Sequence, residues 1–213
     1  MKVIGVIHTT PATVQSTTQL IKDNIEDVKV MNILDDTILG DMASQHNVEY
    51  VRERWIKYAG ILADMGADAV LSACSTVGPF AEEANTMLDI PVLRIDEAMA
   101  EDAVKMGKKI SVLATFRPTL GPTTDLINRK GDGAEINTVF IEGAYDELAL
   151  GNIKKHNELI VEAVKREIEK SDVVVLAQAS MAAALSDCEG LDMNKILTSP
   201  LRGILKLKKT VEK

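Results

Sequence analysis

Val3-Ile4-Gly5-Val6-Ile7, followed at once by His8-Thr9-Thr10-Pro11, is the stretch that decides the fold. A short unbroken apolar run marks a strand buried on both faces, as in a parallel sheet, and the polar residues ending in proline mark the turn that leaves it. The layout returns in the second half, where Ile110-Ser111-Val112-Leu113-Ala114 runs into Thr115-Phe116-Arg117-Pro118. A second pair repeats in the same way. Ala67 to Ala73 leads into Cys74-Ser75-Thr76-Val77-Gly78, and Asp172 to Leu176 leads into Ala177-Gln178-Ala179-Ser180-Met181. Each half therefore carries two hydroxyl-bearing strand-to-helix turns. Ligands of parallel sheets bind outside the carboxyl ends of the strands, so the four turns are expected to converge on one cleft between two similar lobes.

Working outward, helical and strand patterns alternate. Thr13 to Asn24 reads as a helix and Val28 to Leu34 as a strand. Asn47 to Met65 carries Val51, Trp55, Tyr58 and Leu62 at helical spacing, with Gly66 placed to stop the helix. That face suits the core or an interface between copies of the chain, so a homo-oligomer is open. Helices at 80–88 and 97–106 flank the short strand Pro91 to Arg94. In the second half, Ile136 to Ile141 is a strand, helices follow at 146–151 and 153–170, and small residues after Ala179 suggest another helix. Such alternation is the mark of an α/β protein with parallel sheets. The expected lobes are Rossmann-like, one built from residues 1–97 plus 198–213 and the other from 98–197.

Composition narrows the function. With 24 basic and 32 acidic residues among 213, the net charge is −8. No basic run exceeds a Lys-Lys pair and aromatic residues make up only 3% of the chain, so a nucleic-acid partner is not expected. No apolar stretch approaches the roughly 20 residues that cross a bilayer, so no membrane association is expected. The opening residues lack the order of a signal peptide. A cytoplasmic protein follows, in which Cys74 and Cys188 are free thiols.

Cys74 leads the candidates for chemistry. It ends a buried strand beside a helix start, where backbone N–H groups and the helix dipole favour a thiolate. Ser75 and Thr76 add hydroxyl donors suited to a small carboxylate. The other reading of Cys74 is a small buried hydrophobe at a strand end. His8 is placed either to deprotonate a nearby thiol or to close its own turn, and Thr9 adds a hydroxyl there.

The ordered segments IGVIHTTPATV, ACSTVGPF, DIPVLRIDEA, SVLATFRPT, VVVLAQASMA and ILTSPLRGIL resemble the aspartate/glutamate/hydantoin racemase superfamily over essentially the whole chain. Maleate isomerase and arylmalonate decarboxylase belong to the same superfamily. The resemblance implies two α/β lobes related by a pseudo-dyad, an active site in the cleft between them, and no cofactor. It implies two cysteines, one per lobe, that flank the substrate α-carbon. Cys74 matches the first of these, and Ser75 and Thr76 match donors to the substrate carboxylate. Thr115 matches a hydroxyl at the opening turn of the second lobe. His8 stands where glutamate racemases place an aspartate near the first cysteine. Gln178 stands where the second cysteine is expected, and with Ala179 and Ser180 it falls among the expected substrate contacts. A primary amide neither takes nor gives a proton near neutrality, so Gln178 does not replace a thiol. Cys188, ten residues beyond, is not accepted as the missing thiol.

Other residues rank lower. Asp35-Asp36 before Thr37 read as a turn or helix cap rather than a metal site. His46 and His156 read as solvated, Arg117 as a partner of a substrate's distal carboxylate or a surface turn residue, and Arg202 as a residue near the cleft or a cap of the last helix. No dinucleotide glycine pattern follows any strand, so neither nicotinamide nor flavin is expected. The expected function is a cofactor-independent racemase or isomerase acting at the α-carbon of a small carboxylate, whether amino acid, hydantoin or dicarboxylate, with Cys74 as base or nucleophile. The alternatives are single-cysteine decarboxylation of a substituted malonate, and a catalytically silent carboxylate-binding protein.

Overall fold

Every apolar run singled out above becomes a strand with parallel neighbours. The computed structural model describes residues 1–44, 47–187 and 190–212. The chain divides into two compact units, Met1–Glu97 with Pro200–Lys213, and Ala98–Ser199.

The first unit contains β1 (Lys2–His8), α1 (Val14–Asn24), β2 (Val28–Leu34), α2 (Ile38–Ser44), α3 (Val48–Asp64), β3 (Ala69–Ser72), α4 (Gly78–Met87) and β4 (Val92–Arg94). Its sheet runs β2-β1-β3-β4, all parallel. The helix α5 (Glu97–Met106) leads into the second unit, which contains β5 (Lys109–Ala114), α6 (Leu120–Lys130), β6 (Glu135–Phe140), α7 (Ala144–Ala149), α8 (Ile153–Ile168), β7 (Val173–Leu176) and β8 (Ile196–Thr198). Its sheet runs β6-β5-β7-β8, again all parallel. The last helix, α9 (Ser199–Val211), returns to the first unit.

The two sheets share one register. Ile4 to Ile7 of β1 pair with Ala69 to Ser72 of β3, and Ile110 to Leu113 of β5 pair with Val173 to Leu176 of β7. Ser72 thus corresponds to Leu176, and two residues on, Cys74 corresponds to Gln178. The same carboxylate device enters both sheets. Asp68 accepts the backbone N–H of Val3 at 2.6 Å, and Asp172 accepts those of Lys108 and Lys109, each at 2.9 Å. These N–H bonds hold the Asp172 carboxyl below its ordinary pKa.

Strand alternation divides each core between two sheet faces. In the first unit, Ile7 and Val70 pack with Val51, Trp55 and Leu62 of α3, while Ile4, Val6 and Leu71 pack with Ile21 of α1 and Ile204 and Leu207 of α9. The Val51–Leu62 face is therefore core. Burial of each such aliphatic side chain is worth about 1.5–3 kcal/mol. In the second unit, Ile110 and Val112 face α5 and α6, and Leu113 and Val174 face α8. Gly66, at φ +86°, ends α3 in a conformation that a side chain would strain.

One expectation needs correction. His156 is not solvated but 2% exposed, and its Nδ1 lies 2.7 Å from the carbonyl of Ala144, tying α8 to α7. The helix expected after Ala179 is a 3-10 helix, Ala179–Asp187. His46 and Cys188 lie outside the described residues. Among the described residues, no helix is long and apolar enough to cross a membrane.

Candidate active site

The Cys74 turn is built in three steps. The N–H of Ala73 bonds the carbonyl of Ile7 at 3.0 Å, extending the β1–β3 pairing one residue past β3. Ser72 then donates its hydroxyl to the carbonyl of Cys74 at 3.3 Å, and the N–H of Gly78 closes onto the carbonyl of Ser75 at 3.1 Å. Cys74 is a half-buried free thiol packed against the α3–α4 side of the core. Ser75 and Thr76 are buried beside it. Thr76 is hydrogen-bonded or otherwise engaged, whereas the Ser75 hydroxyl has no partner among the described residues. A buried hydroxyl left unpaired costs stability and is uncommon unless a ligand or water completes it.

A buried arginine backs this turn. Arg94, at the end of β4, makes two 2.8 Å bonds to the carboxylate of Asp96 and a third of 2.7 Å to Glu82. Burial alone would disfavour its charge, but Asp96 and Glu82 outweigh that and raise its pKa. The guanidinium lies against Gly78, the first residue of α4, so closely that a Cβ there would overlap it. Sequence reasoning missed this group. Its signal was present, because Arg94 and Asp96 stand two apart at a strand end and so share a face.

His8 and Cys74 are not brought together. Ile7 points into the α3–α4 side of the core, and strand alternation turns His8 to the opposite face. There its Nε2 lies 2.9 Å from Asn32 Oδ1 and its Nδ1 lies 3.0 Å from Thr13 Oγ1. Burial lowers the pKa of the imidazole, and the Asn32 bond opposes this only in part. Burial disfavours the imidazolium, and both ring nitrogens are already engaged at this turn. These bonds favour the second of the two expectations for His8, a residue that fixes its own turn. Thr9, next in the chain, is buried at that turn. Asp35 accepts from the N–H and hydroxyl of Thr37 and, through its other oxygen, from the Tyr58 hydroxyl at 2.9 Å, and that oxygen forms an ion pair with Arg54 Nε at 3.0 Å. It is a turn cap.

In the second unit, Gln178 closes the matching turn. Its Oε1 accepts the N–H of Thr115 at 2.7 Å, the N–H of Phe116 at 3.0 Å and the hydroxyl of Thr115 at 3.1 Å. Thr115 is buried, and Gln178, Ala179 and Ser180 are half-buried. On the same turn, the ring of Phe116 stands 5.1 Å from that of Tyr145, and the exposed Arg117 lies over Phe140 at 4.2 Å. Arg202 is in the first turn of α9. Among the described residues, no three His, Cys, Asp or Glu are grouped to hold a metal ion.

A sequence model of the family described as "Asp/Glu/Hydantoin racemase" matches residues 4–193. Among solved structures, a glutamate racemase isoform from Bacillus anthracis superposes with a TM-score of 0.79 at 17% identity, covering 99% of this chain and 82% of that one. The glutamate racemase from Francisella tularensis in complex with D-glutamate gives 0.76 at 14% identity, covering 98% and 80%. An aspartate racemase homologue from Pyrococcus horikoshii gives 0.68 at 19% identity, covering all of both chains. At these identities the superpositions speak for the fold.

Proposed function

Because this chain belongs to the Asp/Glu/hydantoin racemase family, we propose that it is a cofactor-independent isomerase acting next to the carboxylate of a small substrate, with Cys74 as the proton-transferring thiol. The observation that carries this reading is the Cys74 turn itself, where a half-buried thiol stands beside a buried Ser75 hydroxyl that has no hydrogen-bond partner among the described residues. In the forward step the Cys74 thiolate removes the α-proton. The electron pair released from the C–H bond passes onto the carboxylate as an enolate; water then protonates the carbon from the opposite face, and the hydroxide formed takes the proton from the Cys74 thiol and restores the thiolate. Ser75, Thr76 and Thr9 supply donors whose bonds strengthen as charge moves onto the carboxylate oxygens. His8 serves as the neutral anchor of the turn that holds Thr9. A thiol that must stay reduced suits the cytoplasm.

Gln178 favours a second reading, because it stands in register with Cys74 and cannot exchange a proton. A single thiol suffices for decarboxylation of a substituted malonate, in which the C–CO2 bond breaks, carbon dioxide leaves, and the carbanion takes the proton of the Cys74 thiol. One experiment separates the readings. Amino acids, hydantoins, maleate and substituted malonates are incubated with the protein in heavy water and followed by proton NMR. Deuterium at the α-carbon, cis–trans change or loss of carbon dioxide identifies the chemistry. Binding without any of the three would leave a silent carboxylate-binding protein.

A further inference from the structure

One place in the shared register is filled differently by the two units. In the first sheet Gly5 pairs with Met31 and Val70, and in the second Ser111 pairs with Asn137 and Val174. Ala67, just before Asp68, likewise matches Ser171, just before Asp172. The first unit fills this place with carbon. A Cβ on Gly5 would lie 2.9 Å from Leu62 Cδ1, Met31 packs against the same core, and Ala67 is buried. The second unit instead sets two hydroxyls and an amide around the carboxylate of Glu167, which is 3% exposed. The first unit shows that the fold needs only an apolar filling here, and a buried carboxylate is a costly substitute for one.

The network fixes what each group has left to offer. Glu167 Oε1 takes Arg166 Nε and Lys170 Nζ, each at 3.1 Å, while Oε2 takes Asn137 Nδ2 at 2.9 Å and the Ser111 hydroxyl at 3.3 Å. Burial pushes this carboxyl up, but the bonds from Arg166, Lys170 and Ser111 outweigh it and hold its pKa low. A carboxylate only accepts, so Asn137 turns its nitrogen to Glu167 and keeps its Oδ1, which meets no donor among the described residues. Ser111 gives its proton to Glu167, so Ser171, 2.6 Å away, gives its own to Ser111 and keeps its lone pairs.

Ser111, Asn137 and Ser171 line an open groove of about 410 Å3 at the opening ends of β5 and β6, together with the exposed Lys109, Glu135 and Lys170. That volume is within the range of small-molecule sites. Thr115 follows the other end of β5, roughly 20 Å of strand away. The spare oxygens of Asn137, Ser171 and Glu135 call for hydroxyl donors, and the two ammonium groups call for an anion.

We infer that this groove binds a small anion bearing hydroxyl groups, a phosphate ester or a hydroxy acid, whose hydroxyls donate to Asn137 and Ser171 and whose anionic group meets Lys109 and Lys170. The site lies wholly within the second unit and does not rest on the chemistry proposed for Cys74.

The full-length protein, labelled with nitrogen-15, is titrated with glucose 6-phosphate, gluconate, inorganic phosphate and glucose. The expected result is saturable movement of the backbone amides of residues 109–111 and 135–137 with glucose 6-phosphate, gluconate or both. Inorganic phosphate and glucose should each bind about tenfold more weakly or worse. Movement with glucose 6-phosphate alone assigns a phosphate ester, with gluconate alone a hydroxy acid, and with both the shared chemistry. Lys109→Gln, and Asn137→Met with the residue that the first unit uses, should each weaken binding by about tenfold or more with the melting temperature preserved. Cys74→Ser should bind as the wild type does. Amides unmoved by either hydroxylated anion at its highest soluble concentration, or inorganic phosphate bound as tightly as both, would overturn the proposal. So would unchanged affinity in Lys109→Gln, whose exposed position leaves the core undisturbed, or binding lost in Cys74→Ser.

Discussion

The guanidinium of Arg94 fills the space into which a side chain on Gly78 would project. Neither partner is free to move, since Arg94 is held by Asp96 and Glu82 and Gly78 opens α4 directly after the Cys74 turn. Gly78→Ala should therefore destabilise the protein by about 1–3 kcal/mol through overpacking. Displacing the turn should also lower turnover, on the order of 10²-fold for a shift near 1 Å. Gly60→Ala is the control, because nothing lies within 4 Å of a Cβ at that position in α3. It should stabilise the helix by up to about 1 kcal/mol. Thermal melting and deuterium incorporation read both effects.

Cys74→Ser tests the thiol. The hydroxyl is similar in size but a far weaker acid, so turnover should fall by about 10² or more while the melting temperature holds. Retained turnover in the folded variant would take the thiol out of the mechanism.

Ser75→Ala should separate stability from activity. The variant removes a buried hydroxyl that has no partner among the described residues, so urea unfolding should show unchanged stability or a gain of about 1 kcal/mol. Ligand affinity and turnover should nonetheless drop, by about tenfold or more, if this hydroxyl binds the substrate carboxylate. A loss of stability would show that Ser75 serves the fold instead.

His8→Asn should change the pH dependence of stability and leave the thiol alone. The folded-state pKa of His8 lies below the ordinary 6.5, so the unfolded chain binds a proton that the folded chain refuses. Stability is complete above about 6.5 and falls as the pH drops from there toward the folded-state value. Denaturant midpoints measured from neutral pH down to pH 5 should decline less steeply in His8→Asn. Iodoacetamide profiles of Cys74 against pH, taken with Cys188→Ala in both proteins, should superimpose. A shifted profile would place the imidazole in contact with the thiol's electrostatics after all.

Most of the architecture was legible because buried parallel strands announce themselves as apolar runs. Val28–Leu34 and Glu97–Met106 have the bounds their periodicity predicts. α2 was missed because seven residues interrupted by Gly40 show no helical stripe, and β8 because three residues set no period. The buried state of His156 depends on a carbonyl in α7, twelve residues away, which sequence spacing does not disclose. At the site, the separation of His8 from Cys74 was readable from the alternation of Ile7 and His8 along β1. The clamp of Gln178 on Thr115 was not. It arises only when β5 and β7 pair in register and set two turns, sixty-three positions apart, side by side.

The return of α9 has a consequence for the order in which the chain acquires its structure. Ala98–Ser199 is one continuous stretch, whereas the first unit is assembled from two. Synthesis proceeds from the amino end, so the second lobe can close its core while the first still waits for Ile204 and Leu207. Until those residues emerge, Ile4, Val6 and Leu71 lack their cover on one face of the sheet. The lobe begun first is the one finished last.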